Sequence, residues 1–136
     1  MTFKVIIAGS RDFADYNLLA QRSDHLLSQV TEPIEVVSGT ARGADRLGEL
    51  YANARGYSLV KFPAQWSKFG KSAGPIRNRQ MAEYANALIA FPLGKSFGTR
   101  NMITTAKKLG LSVRYGTNPS PSSFFAGVCR QRELKL

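Results

Sequence analysis

Five short apolar runs, separated by four amphipathic stretches of helical length, constrain this chain more than any other feature. FKVIIA at Phe3–Ala8, IEVV at Ile34–Val37, a run from Tyr57 to Phe62, ALIAF at Ala87–Phe91 and a run from Leu111 to Tyr115 read as strands. Between them, residues 16–30, 44–55, 75–86 and 99–109 space their apolar residues as helices do. Gly56 and Gly110 stand as C-terminal stops, and Pro75 stands near a helix start. A buried strand followed by a helix, repeated, forces parallel pairing with right-handed crossovers. The expected fold is α/β, a Rossmann-like three-layer α/β/α sandwich with a mainly parallel five-stranded sheet. Residues 63–74 read as a long loop. Residues 1–116 form the expected domain, and 117–136 a basic C-terminal tail.

Such a sheet binds ligands at the carboxyl ends of its strands, near the point where the winding reverses. Three strand exits share one composition there. They are Gly9-Ser10-Arg11-Asp12, Ser38-Gly39-Thr40-Ala41-Arg42-Gly43-Ala44-Asp45 and Gly94-Lys95-Ser96-Phe97-Gly98-Thr99. Each joins glycine, a hydroxyl and a cation, and each leads into a helix whose first N–H groups favour an anion. Arg77 and Asn78 open the third long helix on the opposite side and would clamp a phosphate or read a base edge. The competing role for Arg77 is a salt bridge to Asp45 or Asp12 that braces the loops. Arg79 points elsewhere on that helix, toward surface or subunit contact. Trp66, in the loop before it, would stack on a base, cover the site or pack.

Charge agrees with an anionic ligand. The chain carries +10 over 136 residues, unevenly: residues 1–49 hold 5 Lys+Arg against 7 Asp+Glu, and residues 50–136 hold 14 against 2. A field of that sign attracts nucleotides, phosphorylated metabolites or nucleic acid. One cysteine, Cys129, and one histidine, His25, leave no cysteine-based metal cluster and nothing for a His-rich one. No metal and no cofactor are expected. No apolar run reaches the ~20 residues of a membrane helix, and the apolar part of MTFKVIIAGSRDF is too short for a signal peptide, so none is expected. A cytoplasmic protein with no membrane partner is expected. Neither a Walker A loop, nor G-x-G-x-x-G, nor G-x-S-x-G is present.

GSRDF, SGTARGAD, PAQWSKFGKSAGPIRNRQM and FPLGKSFGTRNM, in that order, resemble the SLOG superfamily, specifically its small YspA-type branch related to YpsA. The resemblance runs from about residue 3 to residue 115. It implies a Rossmannoid domain for nucleotides or nucleotide-derived ligands, with the cytokinin-activating phosphoribohydrolases and DprA as distant kin. Its motifs map to Gly9, Ser10 and Arg11; to Gly39, Arg42, Gly43 and Asp45; to Ala73, Gly74, Arg77 and Asn78; and to Gly94, Ser96, Gly98 and Thr99. Two positions depart from the pattern. Thr40 stands where the second motif usually has glycine, and a positive φ would be costly there for a β-branched residue. Gly98-Thr99 is followed by Arg100-Asn101-Met102, where the phosphoribohydrolases place acidic residues, one of them catalytic.

Three functions follow, in this order. The first is a binding or sensing module for a nucleotide-derived phosphorylated small molecule. The second is a nucleoside-monophosphate N-glycosidase, with Asp45 and Asp12 as the remaining acid/base candidates; Asp45 serves equally well as a helix cap. The third is a single-stranded nucleic-acid binder using Arg130, Arg132 and Lys135 of the tail, although aromatic platforms on a strand face are lacking. A homo-oligomer is expected.

Overall fold

The computed structural model describes residues 1–116 and Phe125. Five strands alternate with helices: β1 Phe3–Gly9, α1 Tyr16–Leu27, β2 Ile34–Ser38, α2 Ala44–Arg55, β3 Ser58–Lys61, α3 Trp66–Phe69, α4 Ala73–Tyr84, β4 Ala87–Phe91, α5 Phe97–Lys108 and β5 Ser112–Tyr115. All neighbouring strands pair in parallel, in the order β3-β2-β1-β4-β5. The chain winds outward from β1 to β3, then returns to the other side of β1 to lay down β4. The loops leaving β1 and β4 therefore diverge, and a crevice opens between them.

The strand period of two divides the core between two faces. Phe3, Val5 and Ile7 of β1 join Val36, Ala87, Ile89 and Phe91 in one cluster, covered by Leu19 and Leu26 of α1 and Tyr51 of α2. Ile6, Ala8, Val37, Leu88 and Ala90 point the other way, onto Met81 and Ala82 of α4 and Met102 and Ala106 of α5. All five residues of β4 are buried, so it reads as an unbroken apolar run and not an alternating one.

The stretch 63–74 is not a plain loop. It holds the one-turn helix α3 and a 3-10 turn at Gly70–Ser72. The Lys68 and Phe69 N–H groups both donate to the Gln65 carbonyl, at 3.1 and 3.0 Å. Four residues carry no 3.6-residue period, so the pattern leaves no trace in the sequence. Helix α4 also starts earlier than expected, at Ala73. Pro75 is tolerated because it lies in the first turn, where N–H groups have no intrahelical partner. Helix α1 ends at Leu27 and not at residue 30, with the Ser28 hydroxyl turned back to the His25 carbonyl at 2.7 Å.

Candidate functional site

Backbone contacts assemble the crevice before any side chain enters it. Gly43 has φ +80°, and a Cβ there would lie 2.3 Å from the Ser10 carbonyl oxygen. Only glycine allows the start of α2 to press so closely on the β1 exit. The Ala44 N–H then donates to that carbonyl at 3.2 Å. The Ser10 hydroxyl spans the crevice: it donates to the Leu93 carbonyl at 3.0 Å and accepts from the Leu93 N–H at 2.7 Å. It ties the β1 exit to the β4 exit.

Arg77 reaches from α4 toward the β2 exit, where its Nη1 donates to the Gly39 carbonyl. Its Nε donates to the Asn78 side-chain oxygen at 2.9 Å. The salt bridge to Asp45 or Asp12 does not form; the ion pairs among the described residues are Arg55–Asp24, Lys61–Glu49 and Arg79–Glu83. Even so, a Cβ at Gly39 would lie 2.8 Å from both Arg77 Nη1 and Asp45 Oδ2, so Gly39 marks the gap between guanidinium and carboxylate. Burial lowers the Arg77 pKa, Asp45 opposes that shift, and Arg11 adds to it. Asn78 is 4% exposed. Its amide nitrogen donates to the Gly98 carbonyl at 3.2 Å and to Asn101 at 2.9 Å. It therefore locks α4 to the first turn of α5. At that turn Ser96 caps the helix, accepting from the Thr99 N–H at 3.4 Å.

Asp45 is 5% exposed in the first turn of α2 and accepts from the Ala41 N–H at 3.3 Å. Burial pushes its pKa up from 3.8 to about 6, against the pull of Arg77. Glu49, one turn along the helix, pushes the same way. The sequence reading passed over Glu49, though its i,i+4 spacing from Asp45 signals it. Glu49 is buried, takes the Ser38 hydroxyl at 2.7 Å and pairs with Lys61 at 3.7 Å.

Two cavities open at this edge. The first, about 420 Å³, is walled by Gly9, Ser10, Arg11 and Asp12 from β1, Arg42 and Asp45 from the β2 exit and α2, and Arg77 and Asn78 from α4. Ser96, Gly98 and Thr99 close it from α5, together with Lys95 and Phe97 of the same strand exit and with Leu93, which lies outside the motifs read from the sequence. The second, about 480 Å³, is walled by Gly39, Thr40 and Trp66, and shares Arg11, Arg42 and Arg77 with the first. Gly43, Gly74 and Gly94 line neither. Among the described residues no cluster of three or more His, Cys, Asp and Glu side chains could hold a metal, and no helix is long and apolar enough to cross a membrane. Arg130, Arg132 and Lys135 lie outside the described residues.

Thr40 keeps the left-handed conformation that its motif position implies, at φ +67°, with its N–H donating to the Ser38 hydroxyl at 3.0 Å. A left-handed L-residue costs roughly 1–2 kcal/mol. Glycine removes that strain but loses roughly 0.4–1 kcal/mol through the unfolded chain. Thr40→Gly is expected to stabilise the protein by about 1 kcal/mol and raise the melting midpoint by about 4 °C. A lower midpoint by scanning calorimetry would show that the Thr40 side chain holds the loop.

Comparison with known proteins follows the same lines. The family model for YspA, cpYpsA-related SLOG proteins matches residues 3–69. The Gene 61 protein of Mycobacterium phage D29 is 34% identical over 123 residues, covering 85% of this chain and 98% of its own length. DNA processing protein A (DprA) from Streptococcus pneumoniae superposes with a TM-score of 0.68 at 17% identity, over 98% of this chain; the chain spans 56% of DprA. The structural-genomics protein TM1055 gives 0.59 at 17% identity, over 83% of this chain and 72% of its own. At that identity the two structures share the fold. With the strand order, the diverging loops and the extended match to the phage protein, the chain belongs to the YspA, cpYpsA-related SLOG family.

Proposed function

We propose that the protein binds a nucleotide-derived, phosphorylated small molecule in the crevice between the β1 and β4 exits. One observation carries this reading: Arg11, Arg42, Arg77 and Lys95, from four separate segments, converge on a single cavity at the winding reversal of the sheet. Arg77 is half-buried there beside the exposed Arg11, Arg42 and Lys95, and like charges gathered around about 420 Å³ favour an anion among them. Among the described residues, only Asp12 and Asp45 oppose them there. Arginine supplies the paired donors that a phosphoryl group accepts. Ser96, Thr99 and the start of α5 add donors of the kind that suit phosphate at a helix N-terminus.

Arg77→Ala is expected to weaken binding of ribose 5-phosphate and of 5′-nucleoside monophosphates by about 10- to 100-fold, the worth of a charge-assisted hydrogen bond. Isothermal titration calorimetry measures this. Arg79→Ala serves as control, because Arg79 pairs with Glu83 on the exposed side of α4 at 3.4 Å. Unchanged affinity in Arg77→Ala, or no binding of either compound by the unmutated protein, overturns the reading.

A second reading, hydrolysis of the N-glycosidic bond of a nucleoside monophosphate, has one specific observation behind it. The Asp45 carboxyl lines the same cavity, and a pKa pushed up to about 6 suits a group that gives or takes a proton near neutrality. The segment after Gly98-Thr99 supplies no second carboxylate, so Asp12 would have to be its partner.

A further inference from the structure

The two cavities share a wall made of Arg11, Arg42 and Arg77, and they differ in what lies beyond it. The first holds the carboxylates of Asp12 and Asp45. The wall of the second holds no carboxylate among the described residues and offers an aromatic face, Trp66, beside Pro63. The indole is held in place. Helix α3 begins with it, and the Gln65 carbonyl accepts two N–H groups to fix that turn. Its Cη2 lies 3.5 Å from where a Cβ would stand on Gly74, in the buried first turn of α4. Yet Trp66 remains 52% exposed, so much of the ring is uncovered.

Resting on the phosphate-binding reading above, we infer that the second cavity is the subsite for the base, and that one 5′-nucleotide spans both cavities. Its phosphoryl group lies among the shared arginines and its base stacks on Trp66. The chemistry favours this side. A planar, electron-rich ring gains from an indole face and from neighbouring guanidinium planes, and the indole is the larger platform beside Phe97 of the first cavity, which is 87% exposed.

The chain has a single tryptophan, so its emission reports on this subsite alone. Adenosine 5′-monophosphate is expected to quench or shift Trp66 fluorescence on binding. Ribose 5-phosphate is expected to compete for the same site and leave the emission unchanged. By calorimetry, Trp66→Leu should lower affinity for adenosine 5′-monophosphate about tenfold or more, and Trp66→Phe should keep most of it. Both variants should bind ribose 5-phosphate within twofold of the unmutated protein, which also shows that they fold. If the nucleotide and ribose 5-phosphate bind equally and Trp66 stays silent, the base subsite is overturned and the phosphate site stands. If neither compound binds, the phosphate-binding reading falls and the subsite falls with it.

Discussion

Replacing Phe125 with alanine is expected to destabilise the protein by about 3–5 kcal/mol, the usual cost of removing a fully buried aromatic side chain. The ring is 0% exposed, and its centroid lies 5.5 Å from that of Phe3 at the start of β1. It belongs to the same cluster as Leu19, Leu26 and Leu27 of α1. The Arg114 guanidinium lies 5.3 Å from the ring centroid. The Phe125 N–H also donates to the Leu26 carbonyl at 3.0 Å. Leu26 is in the last turn of α1, where carbonyls have no partner within the helix. Alanine keeps that hydrogen bond and loses the ring, so the measured cost is that of the ring's packing together with its contact to Arg114. Urea unfolding should show the midpoint falling with the slope unchanged. Against a typical total of 5–15 kcal/mol the loss is large. A change below about 1 kcal/mol would mean that the pocket closes over the missing ring.

This contact alters how the tail is to be tested. Deleting residues 117–136 would remove the cations Arg130, Arg132 and Lys135, and with them a side chain of the core. A loss of nucleic-acid binding in such a truncation could not be told from loss of fold. Replacing the three cations singly, with Phe125 left in place, separates the two.

What could be read from the sequence, and what could not, divides by range of interaction. Strands β1 and β4 are legible because a parallel strand buried on both faces is a continuous apolar run bounded by polar loops. The glycine, hydroxyl and cation composition of the strand exits is legible because those residues answer local demands of turn and helix start. Helix α3 is not, because one turn has no period. The duty of Ser10 is hidden for a different reason: its hydroxyl partner, Leu93, lies 83 positions away. The same holds for Asn78, whose partners Gly98 and Asn101 belong to the next helix. Phe125 follows Phe124 after a run of turn formers, where a pair of aromatic residues carries no period, and its partners Phe3, Leu26 and Arg114 come from β1, α1 and β5. Thr40 is the instructive intermediate. The motif position called for a left-handed residue, threonine argued against it, and the loop geometry prevailed at φ +67°.

Asp45→Asn is expected to make the protein more stable at pH 7 and to flatten its pH dependence. The carboxyl titrates at about 6 in the folded protein and at 3.8 as the unperturbed group, because burial disfavours its charge. The folded state therefore holds the proton more tightly than the unfolded state. That preference contributes stability fully below pH ~3.8, and the contribution is lost as pH rises through about 6. At about 1.36 kcal/mol per unit the loss amounts to about 3 kcal/mol. Asparagine keeps an oxygen for the Ala41 N–H, gives up the smaller contribution of the Gly9 backbone, and has no charge to desolvate. The difference in unfolding free energy between variant and unmutated protein should therefore grow between pH 4 and 6.5 and level off above. Asp24 titrates in the opposite sense, its pKa lowered by Arg55, and it cancels in the difference because both proteins carry it. Parallel stability curves across this range would show that Asp45 is not desolvated in solution. The same pair of proteins decides between binding and hydrolysis. If Asp45 gives or takes the proton at the glycosidic bond, the unmutated protein releases free base from a nucleoside monophosphate and Asp45→Asn, although more stable, releases none. Lost activity in a stabilised variant cannot be blamed on unfolding. If the unmutated protein releases no base from any ribo- or deoxyribonucleotide, the raised pKa is the cost of closing the crevice with a buried carboxylate, and the site is one for binding.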